Sequence, residues 1–327
     1  MARPVLALTL INALLAGLLL AGATEAQAQR QLCVLPIGDS ITQGFDAQHE
    51  SWRPSLWRQL VDARPSTEVL FTGSVVGRSQ PDHAGHNFPQ HHEGHSGWTS
   101  GQILRGLHDD GHAAGSLGDW MELYADVCPP TVVLVHLGTN DACIAGRGGP
   151  GAIAVAPMVV DNVREIITRV AARFPSVQPL SALVAAPIPS CCLEVGSVMA
   201  PAFRAAFAAD SNLGLDASVN VSLVDMTTGY DQLWNYDGCH PDASGEEFMA
   251  ARWFEQIQQH CADRVLSTCA ASDINRDRSV GIADLLLLLS AFGRTQAGGE
   301  ILEDVTRDGV VDVTDLLQLL SNYACVM

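Results

Sequence analysis

Four short polar segments of this 327-residue chain contain residue types that could together carry out nucleophilic acyl transfer. The first, residues 38–42 (GDSIT), contains Ser40, whose hydroxyl becomes a good nucleophile only when a nearby imidazole takes its proton. The last, residues 237–241 (DGCHP), contains His240 as a candidate base and Asp237, which can fix the tautomer of the imidazole and stabilise the imidazolium. The sequence therefore predicts a catalytic triad of Ser40, Asp237 and His240.

The two middle segments supply hydrogen-bond donors for the negative oxygen of a tetrahedral intermediate. Gly97, in residues 94–99 (GHSGWT), has a backbone N–H that no side chain of its own crowds. Asn140, in residues 138–141 (GTND), offers a side-chain amide. Losing one such donor typically costs about 3 kcal/mol of transition-state stabilisation. Together with the N–H of Ser40, these two groups form the predicted oxyanion hole.

Each of these segments follows a predicted strand. The strands are short, apolar and bounded by Gly, Pro, Ser or Asp, and amphipathic helical patterns lie between them. The predicted strands are 32–37, 68–71, 131–136, 182–186 and 219–224, and the predicted helices are 54–63, 159–173, 201–209 and 243–261. This alternation predicts an α/β fold with a parallel five-stranded sheet, whose functional loops lie at the carboxyl ends of the strands. A single such segment usually forms a turn or a helix cap, but four at one end of a sheet favour catalysis.

The four segments resemble the sequence blocks of the SGNH hydrolase (GDSL esterase) superfamily, over about residues 31–261. The resemblance implies a flavodoxin-like three-layer sandwich, with Ser40 as nucleophile, Gly97 and Asn140 as oxyanion donors, and Asp237 and His240 completing the triad. The residues of the four blocks are most similar to those of carbohydrate esterase family three, whose members remove acetyl groups from xylan. A serine carboxylic ester hydrolase is implied, with acetylated polysaccharide or oligosaccharide as substrate and no cofactor for catalysis.

Two other functions remain open at this point. A lysophospholipase or thioesterase on the same scaffold would need an apolar groove for a long acyl chain, whereas acetate needs only a small pocket. A non-catalytic carbohydrate-binding subunit would keep the fold and dispense with the chemistry, although the intact triad counts against it.

Other polar residues of this region have plainer interpretations. Five histidines between residues 83 and 95 could bind a metal, but they show no repeated ligand pattern, which favours a solvated or substrate-facing loop. Asp39 and Asp141 are predicted to hold turns through backbone hydrogen bonds. Cys239 is either a buried free thiol or a disulfide partner of Cys143, Cys191 or Cys192.

A repeat with a period of 31 residues occupies the end of the chain. Its copies, residues 273–285 and 304–316, place carboxylates at loop positions 1, 5 and 12 and lead into leucine-rich helical patterns, which is typical of calcium-binding loops. The predicted ligands are Asp273, Asn275, Asp277, the Ser279 carbonyl and Asp284 in the first loop, and Asp304, Thr306, Asp308, the Val310 carbonyl, Asp312 and Asp315 in the second. The alternative, an acidic helical hairpin without metal, does not account for the duplication.

This paired module resembles a type I dockerin over about 55 residues. The resemblance implies a small all-α domain stabilised by Ca²⁺, in which Ile282-Ala283 and Val313-Thr314 would meet a cohesin-type scaffold protein. The module departs from the dockerin pattern at Arg278, Gly281 and Thr306, which predicts modest or unequal affinities of the two loops for the metal.

Residues 1–28 are predicted to be a signal peptide, because a basic residue, an apolar stretch and the cleavage site Ala26-Gln27-Ala28 follow one another. An uncleaved membrane anchor is the alternative, since about 19 apolar residues could nearly span a bilayer. No later segment is long and apolar enough to do so. We therefore expect a secreted protein, or one held at the cell surface through docking, with a hydrolase domain at 29–262, a linker at 263–271 and the dockerin-like domain at 272–327.

The charge of the chain narrows the choice of partner. Its formal net charge is -18, whereas binding to nucleic acid phosphates requires a basic face. Nucleic acid is therefore not an expected ligand. The nine cysteines are compatible with disulfides in an oxidising compartment outside the cytoplasm.

Overall fold

The computed structural model describes residues 30–45, 49–64, 67–77, 82–107, 115–123, 125–145, 150–175, 177, 179–190, 198–209, 212–277, 279–295, 301–306 and 309–323. The predicted signal peptide lies outside these described residues. The chain divides into two compact units, residues 1–254 and 255–327, and each is described by itself. Among the described residues, no helix combines the length and the apolar character that crossing a membrane requires.

The first unit alternates strands with helices. Its strands are β1 (Arg30–Gly38), β2 (Thr67–Phe71), β3 (Val75–Val76), β4 (Asp82–His83), β5 (His86–Asn87), β6 (His91–Gly94), β7 (Val132–His136), β8 (Leu180–Ala185) and β9 (Val219–Val224). Its helices are α1 (Ser40–Gln43), α2 (Trp52–Ala63), α3 (Ser100–Arg105), α4 (Leu117–Leu123), α5 (Thr139–Ile144), α6 (Pro150–Arg173), α7 (Ala200–Ala208) and the start of α8 (Ala243–Ser272).

The five predicted strands are present as β1, β2, β7, β8 and β9. They pair in parallel in the spatial order β2-β1-β7-β8-β9. Counted among themselves this is the order 2-1-3-4-5, which flavodoxin-like sheets have. The predicted α/β architecture is therefore confirmed. The loops that follow β1 and β7 lie at the same end of the sheet, next to the carboxyl ends of these strands.

Within the described residues the sheet nevertheless has seven strands and is mixed, so the prediction of a five-stranded parallel sheet was wrong in this respect. Strand β2 pairs only with residues 30–34 of β1, and β6 pairs in parallel with Ile37 and Gly38 beyond it. Strand β3 then pairs antiparallel with β6. The added strands satisfy backbone groups that β2 leaves unpaired at this edge of β1.

Both faces of the sheet are buried, which is why its strands are continuous apolar runs. One face and its covering helices form a single apolar core that includes Leu35, Val133, Val184, Ile103 of α3, Ile166 of α6 and Phe203 of α7. Alternate strand residues point to the opposite face, where Val34, Leu134 and Leu183 are fully buried as well. On helices α2 and α8, buried Trp52 and Trp253 contact each other with their ring centroids 5.5 Å apart.

Helix α8 is longer than the sequence pattern predicted. It continues from Ala243 to Ser272, so the expected end at Cys261 was wrong and the expected linker, residues 263–271, is helical. The reason is that residues 262–271 contain no glycine or proline, the two residues that most strongly interrupt a helix. The boundary between the two compact units falls within this helix, after residue 254.

The second unit contains α9 (Ile282–Ala291) and α10 (Val313–Ser321), each preceded by an acidic loop. The 31-residue repeat is visible in its core, because residues at equivalent positions of the two copies are buried in the same way. These pairs are Ile274 and Val305, Val280 and Val311, and Leu288 and Leu319. A short antiparallel bridge between Thr295 and Val310 joins the copies.

Four cysteines of the first unit are disulfide-bonded. Cys33 of β1 forms a disulfide with Cys128, with a Cα–Cα distance of 5.8 Å. Cys239 is also disulfide-bonded, and so is Cys143, so the free-thiol alternative for Cys239 was wrong. The other candidate partners, Cys191 and Cys192, lie outside the described residues.

Candidate active site

The hydroxyl of Ser40 lies within hydrogen-bond distance of a histidine 200 residues away in the sequence. Ser40 Oγ is 2.9 Å from His240 Nε2, and His240 Nδ1 is 2.7 Å from Asp237 Oδ2. At these distances an imidazole can take a proton from a hydroxyl, and a carboxylate can orient the imidazole. The structure therefore brings together the three residues of the predicted triad.

Asp237 is oriented by the backbone of its own loop. Its Oδ1 accepts hydrogen bonds from the N–H groups of Cys239, at 2.8 Å, and His240, at 2.7 Å. Partial burial alone would raise the pKa of Asp237, but the hydrogen bonds from His240 and Cys239 outweigh it, so the pKa lies below its usual value. The ionised carboxylate can keep the proton of His240 on Nδ1 and leave Nε2 free to accept the Ser40 proton.

Close backbone packing fixes Ser40, the first residue of α1. A Cβ atom placed on Gly38 would lie 2.7 Å from the carbonyl oxygen of His136. A Cβ atom placed on Gly94 would lie 2.5 Å from the backbone nitrogen of Gln43. Real Cβ atoms essentially never come closer than 3.0 Å to such atoms. Both positions therefore require glycine, and β1, β6 and α1 meet with no space for another side chain.

Two buried carboxylates, Asp39 and Asp141, hold the backbone beside the serine and beside Asn140. Asp39 Oδ1 accepts a hydrogen bond from the Ile41 N–H at 3.0 Å and caps α1. Asp141 accepts hydrogen bonds from the N–H and the hydroxyl of Ser100, at 2.9 and 2.7 Å. The prediction that these residues hold turns through backbone hydrogen bonds is confirmed for Asp39, whereas Asp141 bonds to the first residue of α3, 41 residues away in the sequence. Burial raises the pKa of Asp39 to about 7, with a further contribution from the charge of Asp141, whose own pKa burial also raises.

A tight turn formed by residues 95–98 contains Gly97. The Trp98 N–H donates to the His95 carbonyl at 3.1 Å, which closes the turn. Gly97 is its third residue and has a φ of 78°, a conformation that side chains with a Cβ rarely adopt. Nothing lies within 4 Å of the position a Cβ would take there, so this residue is open to a ligand.

The same turn contacts Asn140 and α1. Asn140 Nδ2, in the first turn of α5, donates to the Trp98 carbonyl at 2.9 Å, and an amide nitrogen carries a second N–H besides. The Ser96 N–H donates to Gln43 Oε1 at 2.8 Å, which joins the turn to the helix that begins with Ser40. The three segments of the predicted oxyanion hole are therefore bonded to one another.

Residues 37–248 match the sequence profile of the GDSL-like Lipase/Acylhydrolase family. The chain belongs to this family. It is therefore a hydrolase of the GDSL/SGNH esterase type, as its sequence blocks predicted, and its α/β sandwich is the fold of that family.

Solved structures share the fold of this GDSL-family chain. One is a carbohydrate esterase family 3 protein from Talaromyces cellulolyticus, with 23% identity and a TM-score of 0.53. Another is an acetyl esterase mutant with a bound acetate ion, with 24% identity and a TM-score of 0.54. Each comparison covers 71% of this chain and 99% of the other. No curated protein matches the chain.

The opening beside Ser40 in this GDSL-family hydrolase is shallow and has an aromatic rim. The pocket there has a cavity volume of about 10 Å³, which holds no more than about one water molecule. Phe45 and Tyr236 lie on its rim, with ring centroids 5.3 and 6.1 Å from that of His240. Both rings are about half exposed, and they flank the histidine that contacts Ser40.

The cluster of histidines before Gly97 differs from its prediction. His92 and His95 are buried, so the expectation of a solvated or substrate-facing loop was wrong for these two residues. They lie on or directly after β6, which the sheet edge and β3 enclose. His92 Nδ1 accepts the Gly94 N–H at 2.9 Å. In the described part of the chain, no three His, Cys, Asp or Glu side chains are grouped in a way that could hold a metal ion.

Two buried charged residues near the site were missed by sequence analysis. Arg53, fully buried on α2, donates to the carbonyl oxygens of Thr42 and Gln43 at 2.8 Å each, and its burial lowers its pKa to about 9. Glu93, fully buried on β6, accepts hydrogen bonds from the N–H and the hydroxyl of Ser74. A charged residue within a stretch of Trp and Leu was the only available signal for Arg53.

The first acidic loop is closed by its last predicted ligand. The Asp284 carboxylate, which is buried, accepts the N–H groups of Asn275 and Gly281 at 3.0 and 2.8 Å. The Asp277 N–H donates to Asp273 Oδ1 at 3.0 Å. The first, fifth and twelfth positions of this loop therefore lie in one hydrogen-bonded turn, with Ser279 bonded to Asp277.

The second acidic loop repeats this arrangement. Buried Asp315 accepts the N–H groups of Thr306 and Asp312 at 2.9 and 2.8 Å, and Asp304 accepts the Gly309 N–H at 2.9 Å. The predicted ligand Asp308 lies outside the described residues, and Val310 takes part in the bridge to Thr295. The donors are oxygens, which suit Ca²⁺, but the described carboxylates of both loops turn toward backbone N–H groups and do not converge as a set of three.

Proposed function

We propose that this chain is a secreted serine esterase that removes O-acetyl groups from polysaccharides or their fragments. The observation that carries this proposal is the hydrogen-bond chain from Ser40 through His240 to Asp237. A serine in this arrangement can lose its proton as it attacks a carbonyl carbon, which is the first step of ester hydrolysis through an acyl-enzyme.

In the first half-reaction, Ser40 Oγ attacks the acetyl carbonyl while His240 Nε2 takes the hydroxyl proton. The oxyanion accepts hydrogen bonds from the N–H groups of Ser40 and Gly97 and from Asn140 Nδ2. The bond to the sugar oxygen then breaks, and that oxygen leaves with the proton from His240. In the second half-reaction, His240 takes a proton from water, and the water oxygen attacks the acetyl-enzyme. The bond to Ser40 Oγ then breaks, this oxygen takes the proton back from His240, and acetic acid leaves.

The shape of the surface beside Ser40 supports a short acyl group. The described residues there form a pocket of about 10 Å³ and not a long apolar groove of the kind that would bury a fatty acyl chain. The half-exposed rings of Phe45 and Tyr236 offer flat apolar faces next to His240, which suits the ring of a sugar leaving group.

The first test is acetate release from acetylated xylan by the mature chain, with Ser40→Ala beside it. The expected result is release by the wild type and none by Ser40→Ala, while Ser244→Ala, an exposed serine of α8, releases acetate at the wild-type rate. Equal activity of Ser40→Ala and the wild type would overturn the assignment of Ser40 as the nucleophile.

A series of nitrophenyl esters separates the substrate classes. A sharp optimum at acetate supports the acetylesterase, whereas rates that rise toward octanoate support the lysophospholipase or thioesterase alternative. Hydrolysis of nitrophenyl acetate without any release from xylan would retain the triad and reject polysaccharide. No activity on either substrate, with an intact fold, would favour a carbohydrate-binding subunit.

We also propose that the two acidic loops bind Ca²⁺ and that the second unit docks to a cohesin-type scaffold protein. The duplicated spacing of oxygen-bearing side chains in the two loops supports the first part. The second is supported by large apolar side chains that lie exposed at repeat-related positions of α9 and α10, a pattern that often marks a protein interface. These pairs are Ile282 and Val313, Leu286 and Leu317, and Leu289 and Leu320.

Calorimetric titration of Ca²⁺ into the chelator-treated full chain tests the metal. We expect binding that Asp284→Ala and Asp315→Ala each reduce by one site, because each carboxylate closes one loop. Exposed Asp161→Ala of α6 is the matched control. No binding heat with the wild type would overturn the calcium proposal, and binding to an immobilised cohesin that persists without Ca²⁺ would overturn its link to docking.

Export is supported by the disulfides at Cys33, Cys128, Cys143 and Cys239, since such bonds persist in oxidising compartments. Sequencing of the amino terminus of the protein recovered from the culture medium tests it. A start near Gln29 is expected, and a start at Met1 in the membrane fraction would support the uncleaved anchor.

A further inference from the structure

We infer that Glu93 and His95 are positioning residues, which place the two oxyanion donors Gly97 and Asn140 without touching the substrate. The inference rests on the proposed function, because it uses the oxyanion roles assigned there. Glu93 is a buried charged residue that the mechanism itself does not use, and its contacts lead to both donors.

Glu93 is the buried end of this network. Its carboxylate has no solvent exposure, and it accepts hydrogen bonds from Ser74 and from His95 Nε2, the latter at 2.9 Å. Its backbone is fixed as well, since it pairs with Ile37 in the sheet. A fully buried carboxylate is retained only with good hydrogen-bond partners, so this pair defines where the His95 ring lies.

His95 links this fixed point to the turn of residues 95–98. Its ring stacks on the indole of Trp98, with centroids 4.3 Å apart and planes 17° apart. Its N–H donates to the Gly38 carbonyl at 3.0 Å, and its own carbonyl accepts the Trp98 N–H. One residue therefore holds both ends of the turn, through its backbone and through its side chain.

Trp98 connects His95 to both oxyanion donors. Gly97 lies between His95 and Trp98, so the direction of its N–H is set by the two ends of the turn. Asn140 Nδ2 donates to the Trp98 carbonyl, so the direction of its second N–H depends on the same residue. A shift of Trp98 would therefore displace both donors at once. His95 Nε2 is bonded to Glu93, which distinguishes it from His240, whose Nε2 contacts Ser40.

The test is a double-mutant cycle on nitrophenyl acetate, an assay that does not depend on the polysaccharide. We expect His95→Gln to lower kcat about 10- to 100-fold with KM within about twofold of wild type, because oxyanion donors act mainly in the transition state. Asn140→Ala is expected to lower kcat by about 10²- to 10³-fold. The double variant should be slower than Asn140→Ala by clearly less than the factor that His95→Gln shows alone, since Asn140→Ala already removes one of the two donors that His95 places.

Two further variants serve as a second probe of the turn and as a matched control. Trp98→Leu removes the stacking and leaves the buried Glu93–His95 pair in place, and it should lower kcat in the same direction as His95→Gln. His86, an exposed histidine of β5, is the matched control: His86→Gln makes the same substitution away from the site and should match the wild type. Thermal unfolding of each variant, followed by circular dichroism, separates a loss of fold from a loss of rate.

Three other outcomes of these measurements would overturn the positioning role of Glu93 and His95. If Asn140→Ala is slow but His95→Gln and Trp98→Leu are within twofold of wild type, the positioning role is overturned and the proposed function stands. If the losses of His95→Gln and Asn140→Ala multiply, the residues act independently and the inference is again overturned. If Asn140→Ala itself has the wild-type rate, the oxyanion assignment fails and the inference fails with it.

Discussion

The two sides of Ser40 are built in different ways. On the base side, the side chains of Asp237 and His240 are 41% and 18% exposed, and their orienting hydrogen bonds stay within one short loop. On the oxyanion side, Glu93 is fully buried and its network joins β6, β1 and the segment at Ser74. The base side therefore needs little of the fold beyond its own loop, whereas the oxyanion side depends on the packing of the sheet edge.

The largest effect is expected on the base side. Asp237→Asn should lower kcat by about 10⁴-fold, because the amide no longer favours the His240 tautomer that accepts the serine proton. The free energy of unfolding should change by less than about 1 kcal/mol, since the side chain is partly exposed and Asn still offers an acceptor. Steady-state kinetics and urea unfolding check both values. A loss of stability as large as that of a core variant would contradict the contrast between the two sides.

A smaller loss of rate but a larger loss of stability is expected on the oxyanion side. Glu93→Gln should lower kcat about 10-fold and the free energy of unfolding by about 1–3 kcal/mol, because the amide has one acceptor oxygen in place of two. Either the Ser74 N–H, or the Ser74 hydroxyl together with His95 Nε2, then loses its acceptor and is left unsatisfied in a buried place. The same two measurements apply. Glu247→Gln, an exposed glutamate that contacts Gln59, is the matched control and should change neither quantity. If Glu93→Gln is as stable as the wild type, the oxyanion side does not depend on the fold more than the base side does.

A third expected effect concerns the pH dependence of stability, through the buried carboxylate of Asp39 next to Ser40. The pKa of Asp39 is about 7 in the folded chain against 3.8 ordinarily, so its contribution to stability is fully present below pH 3.8 and is lost as the pH rises to about 7. The loss is at most about 4 kcal/mol at 1.36 kcal/mol per pKa unit. Asp237, with a lowered pKa, has the opposite sign and loses its contribution as the pH falls.

Asp39→Asn tests this assignment, because Asn can still cap α1 without titrating. Urea unfolding at pH 4, 5.5 and 7 should show a shallower fall of stability for Asp39→Asn than for the wild type. Some slope should remain, since burial also raises the pKa of Glu246 to about 7. Identical slopes in the two proteins would show that Asp39 does not titrate in this window.

The contrast also explains what could be predicted from the sequence. Asp237 and His240 are three residues apart and bonded through their own loop, so the pair could be predicted from one short segment once the other three segments pointed to catalysis. The five apolar strands were equally visible, because both faces of each are buried. Strand β6 was missed because the sequence HHEG has no apolar alternation, and its place depends on where β2 stops pairing with β1.

The buried charges were missed for the same reason. Arg53 is stabilised by the carbonyl oxygens at the end of α1, and Glu93 by Ser74, and neither partner is a sequence neighbour. A sequence pattern records the polarity of a residue and not the groups that tertiary packing will bring to it. The end of α8 was predicted too early. The composition changes after Cys261, but residues 262–271 contain no residue that interrupts a helix.

The absence of space at Gly38 and Gly94 limits how this enzyme can be altered. A single added methyl group at either position would collide with backbone atoms, so the nucleophile cannot be moved by small steps in evolution or in the laboratory. The rim is different, because the rings of Phe45 and Tyr236 are half exposed and can be exchanged without disturbing the sheet. New substrate preferences are therefore to be sought by varying the rim in libraries that keep both glycines, while the chemistry beneath it stays constant.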